Sequence, residues 1–134
     1  MHEVVIVDAV RSPIGKRGGG LSNSHSIDLL GAVQSSLFAR TGMDPKEVGQ
    51  VVGGCVGQVG MQTMNVTRTA WLTAGLPIEV AATTVDAQCG SSQQATNLAY
   101  ALVASGTVDS AVGCGVELMS QVGFGATIPK EPNA

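Results

Sequence analysis

The sequence is poor in charged residues and contains no block of basic ones. Charged side chains make up 13% of the 134 residues, and the formal net charge is −3. A surface that binds nucleic acid or an anionic membrane needs clustered Lys and Arg, so we expect neither partner. A typical soluble domain has about 25% charged residues. The shortage here favours a chain whose surface is partly covered by other protein.

Long apolar runs and paired cysteines are also missing. No apolar run reaches the length of a transmembrane helix, and the first residues show no signal-peptide pattern. The three cysteines, Cys55, Cys89 and Cys114, share no CxxC spacing, so we expect no metal site. An odd number of cysteines without such pairing fits a reducing compartment. We therefore expect a cytoplasmic protein.

Two glycine-rich stretches superficially suggest nucleotide loops. The triple glycine at residues 18–20 is followed by neither Lys-Ser/Thr nor a helix, as a phosphate loop requires. The glycines at residues 53–60 lack the G-x-G-x-x-G spacing, and no acidic residue follows a second strand. We interpret the first stretch as a surface loop and the second as a place where backbones pass closely.

Hydrophobic patterning predicts an alternation of strands and helices. β-Branched apolar runs predict strands at residues 4–7, 48–56 and 110–116, and a further strand ending at residues 83–85. The first run is continuously apolar, which suits a strand buried on both faces. Helices are predicted from a cap at Ser24 or Ser26 to Gly42, over residues 65–74, and from close to Cys89, at or near the first turn, to Gly106. The fold class is therefore α/β, a layered fold with a mostly parallel mixed sheet between helices.

Cys89 falls on the corner between the third predicted strand and the helix that follows. A thiol there meets unpaired backbone N–H groups and the positive end of the helix dipole, which favour the thiolate. The same N–H groups can stabilise an oxyanion on a thioester carbonyl. The alternative is a small buried hydrophobic residue, since free cysteine is often buried.

The residues around Cys89 resemble the nucleophile motif of the thiolases. Residues 85–95 read VDAQCGSSQQA, in which Ser92 stands where the family usually has glycine. Three more elements are similar to thiolase elements: RSPIG at 11–15, AGLP at 74–77 and GCGVELMS at 113–120. In the last of these, Cys114 replaces one glycine of the usual pair, and we expect it to serve packing rather than chemistry.

The resemblance implies an acyl-CoA acyltransferase. Thiolases move an acyl group between coenzyme A thioesters through an acyl-cysteine, which places this chain in fatty acid and lipid metabolism. The resemblance makes Cys89 the nucleophile and acyl-CoA and CoA the substrates, with no permanently bound cofactor. It assigns no CoA-binding residue here. It also implies a homodimer or tetramer, in which the third strand lies at the dimer interface.

The resemblance covers only the N-terminal part of the family's fold. We expect residues 1–120 to form an incomplete N-terminal α/β domain and residues 121–134 to begin the loop domain. The family's activating His, second Cys and oxyanion-supporting Asn come from later motifs, and we do not expect His2 or His25 to replace that His. The chain alone is thus expected to be nearly inactive. The alternatives are a non-catalytic half or assembly module needing a second chain, a ketoacyl synthase-like condensing enzyme, or a truncated, poorly folded product.

The roles of two charged residues stay open at this point. Glu117 is either a structural hydrogen-bonding carboxylate or an ordinary acid at a strand end. Arg68 is either a solvated charge on its helix or a support for the neighbouring loop.

Overall fold

The computed structural model describes residues 3–131. Three helices and three strands alternate after an extended N-terminal segment. In chain order they are α1 (Ser26–Thr41), β1 (Gln50–Gly54), α2 (Val66–Thr73), β2 (Ala81–Val85), α3 (Ser91–Ala104) and β3 (Ala111–Gly115). Short 3-10 turns at Pro45–Glu47 and Gly60–Gln62 flank β1. None of the described helices combines the length and the apolar character needed to cross a membrane.

The three strands form a parallel sheet in the order β2-β1-β3. In register, Val52 of β1 lies opposite Thr83 on one side and Gly113 on the other. The sheet lies between helices: α1 packs on α2 and α2 on β2 and β1, whereas α3 packs on β1 and β3. The α/β prediction is confirmed, and all three strands are parallel. Each strand therefore ends at the same edge, which we call the carboxyl edge.

The hydrophobic core lies between α1, α2 and the sheet. Trp71 is fully buried, and its ring meets the Phe38 ring edge-on, with 5.6 Å between centroids and 86° between planes. The indole N–H donates to the Pro77 carbonyl oxygen at 2.8 Å, so the one polar atom of the side chain is satisfied. Three buried valines complete this cluster: Val48, Val51 and Val80.

Helix α1 begins differently from the prediction. Its N-cap is His25, whose Nδ1 accepts the Ile27 N–H at 3.3 Å, rather than Ser24 or Ser26. Ser26 is instead the first helical residue; it is fully buried and donates to Gln62 Oε1 at 3.2 Å. Gly42 ends α1 in the left-handed conformation with φ 70°, as predicted.

The prediction of a buried strand at residues 4–7 is wrong for this structure. These residues form no strand, and Val5, Ile6 and Val7 are 70%, 84% and 78% exposed. A strand needs a hydrogen-bonding partner, and no described residue pairs with this segment. A cavity of about 870 Å³ lies between it and β3. An ion pair between Asp8 and Arg40, 3.1 Å long, ties the segment to the last turn of α1.

Candidate active site

Cys89 lies in the short corner that joins β2 to α3. Strand β2 ends at Val85, and α3 begins at Ser91 with Gly90 as its N-cap, so Cys89 immediately precedes the cap. The structure thus has the strand-to-helix corner that the sequence predicts. Cys89 is exposed, whereas a packing role would require burial. Its thiol is open to a ligand approaching the carboxyl edge.

Local hydrogen bonds define the path of this corner. Asp86 Oδ1 accepts the Gln88 N–H at 2.8 Å. The buried Ser91 hydroxyl donates to the Gln88 carbonyl oxygen at 2.6 Å and accepts the Ala87 N–H at 2.9 Å. Gln88 is held at φ 53°, a conformation that L residues rarely adopt and that costs about 1–3 kcal/mol. Hydrogen bonds within this corner therefore stabilise a left-handed conformation at Gln88 that is unfavourable for an isolated residue.

Cys89 and the first residues of α3 include backbone donors without an acceptor among the described residues. The Gly90 and Ser91 N–H groups donate to the carbonyl oxygens of Ala87 and Gln88. By contrast, the N–H groups of Cys89, Ser92 and Gln93 donate to no acceptor within residues 3–131. Helix N-termini expose such donors, and the helix dipole favours negative charge there. The corner thus has the donors that a thiolate or a thioester oxyanion requires.

Two glycines let α3 pack directly on the ends of β1 and β3. A Cβ on Gly54 would overlap the backbone of Ser91 and Ser92, and one on Gly115 would overlap the Ser92 hydroxyl. The first turn of α3, which follows Cys89, therefore rests on glycine backbone. Ser92, which replaces the family's usual glycine, fits because residue 115 has no side chain.

The other two cysteines differ from Cys89 in exposure. Cys55 is 1% exposed, and burial, together with the nearby carboxylates of Glu117 and Asp86, raises the pKa of its thiol from 9.0 to about 12. Burial likewise raises the pKa of Cys114 to about 11, against a smaller opposing effect of its hydrogen bond with Gln34. The thiolate is the reactive form, so both thiols are inert near neutral pH. Cys114 packs against the hydrophobic core, in line with the packing role expected for it.

Glu117 joins the loops that leave β1 and β3. Its carboxylate accepts the Val56 N–H at 2.8 Å, the Gly57 N–H at 3.2 Å and the Gln62 side-chain N–H at 2.8 Å. The fully buried Gln62 extends this link, because its Oε1 accepts the Leu118 N–H at 2.7 Å. Glu117 is therefore a structural hydrogen-bonding carboxylate, which resolves the question left open by the sequence.

Arg68 and Asn65 fix the approach to β2. The Arg68 guanidinium donates to the carbonyl oxygens of Val80 and Ile78, the latter at 2.8 Å, so it is not simply a solvated charge. Asn65 caps α2, and its Oδ1 accepts the Thr84 hydroxyl at 2.7 Å. These bonds lie between α2 and the strand that leads to Cys89, and they support that strand.

The sequence analysis assigns no role to two residues of this framework, Asn65 and Gln62. Asn65 could have been identified as an N-cap residue from its position before α2. Gln62 carries no local signal for its links to Ser26, Glu117 and Leu118, because these partners are 36 or more residues away in sequence. Its role depends on the tertiary fold alone.

No described side chain forms a hydrogen bond with the Cys89 thiol. His25 is used at the N-terminus of α1, and His2 lies outside the described residues. The described residues also contain no group of His, Cys, Asp and Glu suited to a metal ion. The corner therefore supplies a thiol and N–H donors, while no base is hydrogen-bonded to that thiol.

Comparison with known proteins identifies the family. The model for the thiolase N-terminal domain matches residues 4–130. The chain belongs to the thiolase family. It is similar to steroid 3-ketoacyl-CoA thiolase FadA6 of Mycobacterium tuberculosis, with 47% identity over 91% of this chain and 30% of that protein. It is also similar to a 3-ketoacyl-CoA thiolase of Acinetobacter baumannii, with 42% identity over 99% of this chain and 34% of that one.

A solved structure supports the same assignment. The crystal structure of the Bacillus anthracis acetyl-CoA acetyltransferase superposes with a TM-score of 0.82 at 40% identity. The match covers 90% of this chain and 30% of that chain. This thiolase-family chain thus spans about a third of the length of the relatives it matches, and it corresponds to their N-terminal portion.

Proposed function

We propose that this chain carries the acyl-accepting half of a thiolase, with Cys89 as the nucleophile. The observation that carries the proposal is the exposed thiol just before α3, next to three N–H groups that donate to no residue in the described range 3–131. The substrates are thioesters of coenzyme A, as the names of the relatives indicate for those proteins: 3-ketoacyl-CoA, including a steroid 3-ketoacyl-CoA, and acetyl-CoA. No permanently bound cofactor is needed for this chemistry.

The reaction begins with attack of the Cys89 thiolate on the thioester carbonyl carbon of acyl-CoA, or on the 3-keto carbon of 3-ketoacyl-CoA. A new C–S bond forms, and the carbonyl oxygen becomes an oxyanion, which the Cys89 N–H is placed to stabilise. Collapse of this intermediate expels the CoA thiolate from acyl-CoA, or the enolate of acetyl-CoA from 3-ketoacyl-CoA, and each then takes up a proton. The acyl group next passes to CoA or to the acetyl-CoA carbanion, which frees Cys89. Bases from beyond these residues would accelerate the proton transfers.

The surroundings of the site complete the proposal. Residues 1–120 form the incomplete N-terminal domain, and residues 121–134, of which 132–134 lie outside the described residues, begin the loop domain. Strand β2 lies at one edge of the described sheet, and Thr83 on it is exposed, so we place a homo-oligomeric contact there. We place the protein in the cytoplasm, where three free thiols persist.

Acetyl transfer to the protein tests this proposal. The 134-residue chain is incubated with acetyl-CoA, and its intact mass and peptide map are followed with time. We expect one acetyl group on Cys89 and none on Cys55 or Cys114. The Cys89→Ala variant should gain no acetyl thioester, and labelling that persists in this variant would contradict the assignment.

A matched peptide separates the effect of the fold from ordinary thiol chemistry. A synthetic peptide of residues 84–95 contains the same cysteine without the helix or the sheet. The folded chain should be acetylated at least about tenfold faster than this peptide at equal pH, since one oxyanion donor contributes about 10²–10³ in optimised sites. Equal rates would mean that the corner does not promote the reaction.

A further inference from the structure

The peptide unit between Gln88 and Cys89 carries two polar groups with different surroundings. Its carbonyl oxygen, on Gln88, accepts two hydrogen bonds from Ser91, one from the backbone N–H at 3.0 Å and one from the hydroxyl at 2.6 Å. The peptide bond is trans, so the N–H of Cys89 points in the opposite direction to this carbonyl. That N–H therefore faces away from Ser91, and it donates to no acceptor within residues 3–131.

The Ser91 hydroxyl forms hydrogen bonds on both sides of Gln88. Besides donating to the Gln88 carbonyl oxygen, it accepts the Ala87 N–H at 2.9 Å, and the residue is only 4% exposed. The two bonds bracket the torsion angles of Ala87 and Gln88, including the left-handed φ of 53° at Gln88. The N-cap residue, Gly90, has no side chain that could hold the corner in this way. The hydroxyl one residue later provides that link.

Ser91 is itself fixed by the sheet. A Cβ on Gly54 would overlap the Ser91 backbone, so this backbone rests directly on β1. The neighbouring Asp86 does not duplicate the role of Ser91. Its Oδ1 accepts the Gln88 N–H at 2.8 Å, and a carboxylate cannot donate to the Gln88 carbonyl oxygen. Within residues 3–131, Ser91 therefore supplies both donors that hold this carbonyl.

We infer that Ser91 is a positioning residue for acyl transfer. Its hydroxyl holds the Gln88–Cys89 peptide unit in the orientation that turns the Cys89 N–H outward, toward an oxyanion on the bound substrate. Without the hydroxyl, Gln88 can leave its strained left-handed conformation, and this rotation turns the N–H away. The inference rests on the proposed acyl transfer at Cys89. It gives Ser91 a role that acts through the backbone of Cys89 rather than through its thiol.

Two reagents that differ in whether an oxyanion forms test this inference on the 134-residue chain. With p-nitrophenyl acetate, the Cys89 thiolate adds to the ester carbonyl carbon, and collapse of the resulting oxyanion expels p-nitrophenolate and leaves an acetyl thioester. With iodoacetamide, the same thiolate displaces iodide from a CH₂ carbon, and no oxyanion forms. Peptide mapping gives the rate constant of each reaction at Cys89. The ratio of the two rate constants reports oxyanion stabilisation separately from the exposure and ionisation of the thiol.

Removal of the hydroxyl should lower one rate constant and spare the other. In Ser91→Ala, acetylation of Cys89 should slow by about tenfold, which is part of the roughly 10²–10³ that one oxyanion donor contributes in optimised sites. Alkylation should change by less than about twofold, because the thiol keeps its exposure and its thiolate fraction. Ser105→Ala is the matched control, since Ser105 lies at the other end of α3 and its hydroxyl also forms two hydrogen bonds. It should leave both rate constants unchanged.

Glycine at position 88 tests whether Ser91 acts through the strained residue. Glycine adopts positive φ about as readily as negative φ, so in the Gln88→Gly background Ser91→Ala should lower the ratio by only about twofold. Alkylation of Cys55 or Cys114 in the same samples reveals any variant that has unfolded. Should Ser91→Ala unfold, the comparison of Gln88→Gly with Gln88→Gly/Ser91→Ala carries the test, and an equal ratio in these two variants would contradict the inference.

Three further results would overturn the inference. One is an unchanged ratio in folded Ser91→Ala, and another is an equal slowing of both reactions, which a general structural role would produce. The third is a loss that is as large in the Gln88→Gly background as in the wild-type background, because the hydroxyl would then not act through Gln88. Failure of the proposed function looks different: the wild-type chain would react with p-nitrophenyl acetate at Cys89 but not with acetyl-CoA.

Discussion

The carboxyl edge of the sheet and the cavity beside β3 involve the same strands but differ in how their polar groups are satisfied. At the carboxyl edge, Glu117 and Gln62 join the loops that follow β1 and β3, and Ser91 forms two hydrogen bonds within the Cys89 corner. Beside β3, the outer backbone edge is unpaired within residues 3–131, and Gln34 Oε1 accepts no hydrogen bond from these residues. The geometry of the nucleophile is therefore set by bonds within this chain, whereas the described residues leave the outer edge of β3 and Gln34 Oε1 without partners.

The largest expected effect contrasts the core with the N-terminal segment. Trp71→Ala removes the fully buried indole and its contact with Phe38, so it should cost about 3–5 kcal/mol and leave the chain largely unfolded. Ile6→Thr, at an 84% exposed position, should change the unfolding free energy by less than about 0.5 kcal/mol. Urea unfolding followed by circular dichroism measures both. A comparable cost at Ile6 would mean that the segment is packed after all.

The next effect is a loss of stability at alkaline pH that arises from the buried thiol of Cys55 and the partly buried thiol of Cys114. The folded pKa values of Cys55 and Cys114, about 12 and about 11, lie above the ordinary value of 9.0, so the folded state retains protons that the unfolded chain releases. Their contribution is therefore fully present below about pH 9 and is lost as the pH rises toward 11 and 12. Between these limits, each thiol should lower the unfolding free energy by about 1.4 kcal/mol per pH unit.

Unfolding curves at pH 7, 9 and 10 measure this effect. The Cys55→Ala/Cys114→Ala double variant is the reference, because it lacks only the two thiols. The wild-type chain should lose more stability than the variant between pH 9 and 10. Parallel pH profiles would show that the two thiols titrate normally in the folded state.

A smaller effect tests the carboxyl edge directly. Glu117→Gln replaces one carboxylate oxygen by an NH₂ group that faces backbone N–H donors, so it should cost about 1–2 kcal/mol. Glu79→Gln, at an exposed position, should be close to neutral. Hydrogen exchange at Val56 and Gly57 should also accelerate in Glu117→Gln alone. Unchanged exchange there would contradict the role of Glu117 as the link between the two loops.

Sequence patterns predict the elements whose causes are local. Helix α2 and Gly42 follow from caps and end signals, and the corner at Cys89 follows from β-branched residues next to a helical stripe. The prediction of a strand at residues 4–7 fails because a strand forms only beside a pairing strand. A local apolar run does not indicate whether such a partner is present. Likewise, His25 competes with two serines for one cap, and Gln62 acquires its role only when distant loops meet.

The reactivity order of the three thiols tests the central claim, that the fold presents Cys89 alone for reaction. The native chain is treated with iodoacetamide at pH 8, and alkylation of each cysteine is followed by peptide mapping. We expect Cys89 to be alkylated first, with Cys55 and Cys114 modified only at the rate of unfolding, because burial keeps both protonated. Modification of Cys55 or Cys114 in the folded chain as fast as that of Cys89 would contradict the claim.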